Sequence, residues 1–174
     1  MKRIGFFLVF LAVFGCTSPS TPHIAENTLA TEETKLEQTR LKGKLDDRTL
    51  RSFILPNGLE VLLIQGPKFN DSSASLAVGV GSLANPEEHQ GLAHFLEHML
   101  FLGTKKYPTV GEYDAYLGAH QGWSNAYTAD VLTNYFFQVN DDGFEGALDR
   151  FSQFFITPLF TPEFVEREMN AVHS

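Results

Sequence analysis

The stretch Gly91-Leu92-Ala93-His94-Phe95-Leu96-Glu97-His98-Met99-Leu100-Phe101-Leu102 constrains this chain more than any other. Asn85-Pro86-Glu87-Glu88 ahead of it is a helix start, with Asn as N-cap, Pro at the first position and Glu88 closing a capping box. Gly103 behind it is a stop signal. In the predicted helix, Pro86 to Leu102, the residues Leu92, Phe95, Leu96, Met99, Leu100 and Leu102 cover nearly every direction about the axis. A helix apolar almost all round is expected to be buried. Yet His94, Glu97 and His98 sit in its middle and, at about 100° per residue, fall on one arc. Burying a carboxylate and two imidazoles together is costly unless something satisfies them. A divalent cation does so, with two ring nitrogens as ligands and the carboxylate facing a bound water. The other reading is a pair of core histidines hydrogen-bonded to Glu97.

The spacing H-x-x-E-H reverses the commoner H-E-x-x-H and keeps its physics: the two histidines lie one turn apart and the Glu lies beside one of them. Composition is compatible with such a site and excludes others. One cysteine rules out an intrachain disulfide and any all-cysteine zinc site, whereas six histidines leave a His/Glu site open. A net charge of −8 argues against nucleic acid as a partner, because neutralising phosphates requires an excess of Lys and Arg. With 43% apolar residues in 174, the chain has enough for one real core.

The ends read differently from the middle. Lys2 and Arg3 precede an apolar run from Ile4 to Phe14 broken only by Gly5. That run falls short of the roughly 20 residues a membrane-spanning helix needs, and fits a secretory signal. Val13-Phe14-Gly15-Cys16 resembles a bacterial lipobox, which makes Cys16 a candidate lipidation site. The organisation expected is therefore a signal peptide over 1–15, a lipid-anchor Cys and polar tether over 16–48, and a folded domain over 49–174. The implied location is the bacterial periplasm, anchored to a membrane, with Thr17 favouring the outer over the inner one. At the other end Thr161-Pro162-Glu163 opens a helix whose pattern continues to Ser174 with no stop signal, as expected of an N-terminal fragment.

Between the ends, Phe53 to Ile64 is two apolar runs around Asn57-Gly58, a hairpin signal. Alternation from Ser73 to Val80 predicts a strand. A helix over Gly111 to His120, strands near Trp123 to Thr128 and Leu132 to Val139, and a helix from Phe144 to Phe155 come next. Phe151, Phe154 and Phe155 are expected in the core. Hairpins and helices in mixed order indicate an α+β fold, a largely antiparallel sheet with helices on one face.

Four segments carry a resemblance. Gly91 through Pro108 is similar to the active-site segment of the pitrilysin/insulysin family of zinc metallopeptidases. Ser124-Asn125-Ala126-Tyr127-Thr128 with Thr133-Asn134-Tyr135-Phe136-Phe137, Gly146-Ala147-Leu148-Asp149-Arg150-Phe151, and Glu166-Arg167-Glu168-Met169-Asn170-Ala171-Val172 match three more. The similarity covers about residues 48 to 174. It implies that the fold is the family's first metallopeptidase domain, incomplete at its C-terminus. It implies one Zn2+ per site with His94 and His98 as ligands, Glu97 as the general base acting on the water at the zinc, and Glu168 as the acid supporting the site. Asn125 and Ala126 resemble the edge strand on which a peptide substrate lies as an added strand.

The family's third ligand is a Glu two helical turns beyond the Glu168 equivalent, which here would stand directly after Ser174. Two histidines make an incomplete zinc site, since catalytic zinc normally takes three protein ligands. Family members also close the cleft with a homologous C-terminal half that this chain lacks. The resemblance thus implies a zinc metalloendopeptidase whose N-terminal fragment is inactive alone. The competing expectation is a non-catalytic relative that serves as a partner-binding subunit.

Overall fold

The computed structural model describes residues 5–12, 43 and 45–173. Cys16 and most of the expected tether lie outside the described residues. Among the described residues six strands and four α-helices run in the order β1 (Gly5–Ala12), β2 (Thr49–Ile54), β3 (Glu60–Gly66), β4 (Asp71–Val78), α1 (Leu92–Leu100), α2 (Glu112–Ala119), β5 (Trp123–Thr128), β6 (Thr133–Asn140), α3 (Phe144–Ile156) and α4 (Pro162–His173). The strands form one sheet in the order β2-β3-β1-β4-β6-β5, antiparallel throughout except for the parallel pair β1–β4. This is the expected α+β fold with a largely antiparallel sheet.

The hairpin around Asn57-Gly58 forms as its turn residues dictate. Gly58 takes φ 83°, a conformation without penalty only for glycine, and the Asn57 side chain accepts a hydrogen bond from the Leu59 amide at 3.1 Å. β5 and β6 pair in register from Trp123↔Gln138 to Thr128↔Thr133. β6 alternates buried and half-buried residues, so Thr133, Tyr135, Phe137 and Val139 face the helices. Against them α2 presents Tyr113 and Leu117, and α3 presents Ala147, Phe151 and Phe154, all buried. Phe151 meets Phe137 and Phe155 edge-on, each with ring centroids 5.3 Å apart. The Arg150 guanidinium ties α3 to α2 through Glu112 at 2.8 Å, and lies over the Tyr116 ring at 3.9 Å.

Three expectations differ from the structure. The apolar run near the start, expected outside the fold as a signal peptide, supplies β1: its backbone pairs with β3 from Gly5↔Gly66 to Leu11↔Glu60 and with β4 from Phe7↔Ser73 to Ala12↔Val78. A short continuous apolar run suits a strand flanked on both sides as well as it suits a signal sequence. The second difference is the helix predicted from Pro86 to Leu102. It begins only at Leu92, because Gly91 adopts φ 86° and separates the turn at 86–90 from the helix proper. Asn85 still acts as a cap from a distance, its Oδ1 accepting the Ala93 amide of the first helical turn at 2.9 Å. Nor is α1 buried all round. Glu97, Met99 and Leu100 are buried, whereas Leu92 and Leu96 are exposed; Leu96 lines an apolar cavity of about 870 Å³ between α1, β6 and α3.

Candidate metal centre

The three ionisable residues of α1 do occupy one side of the helix, and each is reached by a different partner. His94 and His98, one turn apart, bring their Nε2 atoms to 3.1 Å with ring centroids 4.7 Å apart and planes at 77°. His98 Nδ1 lies 3.0 Å from Glu168 Oε2, contributed by α4. Glu97 is buried, and its Oε2 accepts a hydrogen bond from the Thr128 hydroxyl at the end of β5 at 2.5 Å. Glu97 bonds to neither histidine among the described residues, so a core in which the histidines satisfy the Glu is not the arrangement found.

The electrostatics fix the tautomer of His98. Burial pushes the Glu168 carboxyl up, but hydrogen bonds from Arg167 and His98 outweigh it and hold the group below its ordinary value. Arg167 donates twice to Oε1, at 2.8 and 3.0 Å. Facing an ionised carboxylate at 3.0 Å, His98 donates from Nδ1, and in the neutral ring this leaves the Nε2 lone pair for a ligand. Beside it, His94 Nε2 donates to that lone pair in the free protein or turns its own lone pair to the same point.

The donor set suits a zinc ion. Two tetrahedral imidazole ligands at the usual ~2.0–2.1 Å place their nitrogens about 3.3–3.4 Å apart, close to the separation found. The set is partial: among the described residues no group of three or more His, Cys, Asp or Glu side chains could hold a metal ion. Glu168 has the position of a carboxylate that orients a ligating histidine, and truncating such partners typically costs 10- to 100-fold in metal affinity. Glu168→Ala is expected to weaken zinc binding by about that factor, as a competition titration against a chromophoric chelator reads out.

Asn125 and Ala126 lie on β5, the last strand of the sheet, whose second edge is unpaired among the described residues. Asn125 is exposed, and its Oδ1 accepts the Ala126 amide at 2.8 Å. The same strand thus carries both residues expected to meet a peptide and the hydroxyl that grips Glu97. Sequence reasoning missed two members of this group. Thr128 stands inside the matched segment, but only the β5–β6 register places its hydroxyl against α1. Arg167 neighbours Glu168, and the charge pattern alone did not distinguish it from a solvated residue.

Comparison with known proteins gives matches over most of the chain. The family model Insulinase (Peptidase family M16) matches residues 60–174. The chain is 53% identical to human insulin-degrading enzyme over 133 residues, which is 76% of this chain and 13% of the relative. It is 52% identical to the A-factor-processing enzyme of Saccharomyces cerevisiae over 134 residues, 77% of this chain and 13% of that one. The crystal structure of pitrilysin superposes with a TM-score of 0.73 at 38% identity, over 80% of this chain and 15% of that one. The chain therefore spans a little over a tenth of the length of the relatives it matches.

The expected location needs correction. The curated relatives come from yeasts, animals and a plant, and an Arabidopsis thaliana relative is named peroxisomal. An exported, lipid-anchored periplasmic placement does not stand beside them. Part of the apolar run that suggested it, Gly5–Ala12, forms the strand β1, and the basic residues Lys2 and Arg3 lie outside the described residues. On the match over residues 60–174, the chain belongs to the insulinase (M16) family, the pitrilysin/insulysin zinc metallopeptidases.

Proposed function

We propose that this chain carries the zinc-binding and proton-transfer part of a metalloendopeptidase that hydrolyses peptides or small proteins. The observation that carries the reading is the convergence of His94 and His98 Nε2 at 3.1 Å, with the other nitrogen of His98 held by Glu168 and the buried Glu97 next to it in the helix. A bound zinc ion would supply Lewis acidity at the scissile carbonyl and at the attacking water. His94 and His98 would hold it through Nε2, with Glu168 keeping His98 in the ligating tautomer. A third donor comes from outside the described residues.

Glu97 is the general base. Its Oε2 is occupied by Thr128, so Oε1 takes the proton of the attacking water and passes it to the leaving amine. The peptide adds as a strand to the free edge of β5, which aligns its backbone beside α1 without reading its sequence. Asn125 must release the Ala126 amide for this, and its carboxamide then serves the incoming backbone. With two histidines alone, the 174-residue chain binds zinc weakly and does not turn over. The full-length gene product should cleave an unstructured peptide and stop when a zinc chelator is added, while the 174-residue chain cleaves nothing. Chelator-sensitive hydrolysis by the short chain would refute the incompleteness of its site, and chelator-insensitive hydrolysis by the long one would refute the mechanism.

A further inference from the structure

We infer that Thr128 is a positioning residue for the proton-accepting carboxylate, fixing which oxygen of Glu97 does the chemistry. The inference rests on the reading of Glu97 as the general base. Thr128 Oγ1 is 2.5 Å from Glu97 Oε2, a distance typical of a hydroxyl donating to an ionised carboxylate. Among the described residues its one other hydrogen-bonding neighbour is Thr133 Oγ1, at 3.4 Å. Thr133 spends its own proton on the Val80 carbonyl at 2.8 Å, so it can only accept from Thr128, and at 3.4 Å it is a far weaker acceptor than the carboxylate oxygen at 2.5 Å. The hydroxyl hydrogen of Thr128 is committed to Glu97.

The commitment has a geometric consequence. Glu97 has three side-chain torsions, and the terminal one is broad in its preference. Among the described residues Oε1 of Glu97 makes no hydrogen bond, so Thr128 alone locks that torsion. The hydroxyl does so from a rigid place: Thr128 closes the β5–β6 ladder opposite Thr133, and Thr133 is buried and anchored to Val80. A carboxylate pinned at one oxygen presents the other in one direction, which is what a base needs to meet a water repeatedly at the same place. The edge strand that receives the peptide would thus also aim the base, so substrate alignment and proton transfer share one element.

The test is Thr128→Val in the full-length gene product. Valine keeps the shape and the β propensity of threonine and removes only the hydroxyl, so the strand is retained. The expected result is a fall in kcat of about 10- to 100-fold with KM and zinc content unchanged, and recovery of most of the loss in Thr128→Ser. Parental kcat in Thr128→Val would overturn the inference, and so would a fall that Thr128→Ser does not recover. A crystal structure of Thr128→Val gives a reading that needs no turnover. The Glu97 carboxylate is expected to leave its single orientation; a carboxylate unmoved from the parental position overturns the inference. An intact protein that binds zinc yet cleaves no peptide would sink the proposed function, and the crystallographic result would still decide the role of Thr128.

Discussion

Glu97→Gln should lower kcat by about 10²–10⁴-fold while zinc content stays at the parental level. The amide is isosteric with the carboxylate and can still accept the Thr128 hydroxyl through its carbonyl oxygen, so α1 and β5 keep their contact. What it lacks is a site for the proton at the second position, where the carboxylate has a free Oε1 and the amide an NH2. Because Glu97 ligates nothing in this arrangement, the two histidines and their Glu168 support are untouched. Metal analysis alongside steady-state kinetics separates this result from simple loss of the ion. A variant retaining parental turnover would remove Glu97 from the chemistry.

The largest effect on stability is expected from Phe151→Ala, at about 3–5 kcal/mol. Phe151 is 2% exposed and sits where α3 meets the sheet, in ring contact with Phe137, Phe154 and Phe155. Removing it deletes the apolar area it buries and leaves a hole that three stiff rings cannot collapse into, because each is held by its own neighbours. Phe137 in turn packs on Tyr113, so the loss spreads to α2. For one small domain such a loss is a large part of the total. Chemical denaturation monitored by circular dichroism reads it directly; a shift below about 1 kcal/mol would mean that the aromatic cluster is not the core.

Much of the fold and of the site is legible in the residues themselves. The β5–β6 pair, α2 and α3 are dictated by alternation, apolar spacing and glycine position. The placement of His94, Glu97 and His98 together on one side of α1 is visible because three polar groups on a mostly apolar helix fall on one arc at helical spacing. What escapes the sequence is informative. The length of α1 is overstated because Asn85-Pro86 reads as an adjacent cap, whereas the chain loops through Gly91 and Asn85 reaches the helix from eight residues away. Periodicity overstates the burial of α1, since Leu92 and Leu96 remain exposed. Pattern cannot settle the role of the first apolar run, because a signal segment and a strand paired along both edges can have the same composition. Thr128 and Arg167 are invisible because a hydrogen bond across 31 residues, or a carboxylate shared between two elements, is a property of register and packing.

The most direct test of the account is the zinc content of the full-length gene product and of its His94→Ala and His98→Ala variants after gel filtration. The account predicts about one zinc per polypeptide in the parent and almost none in either variant, with all three folded. Metal-free parent protein, or undiminished zinc in both variants, would contradict it.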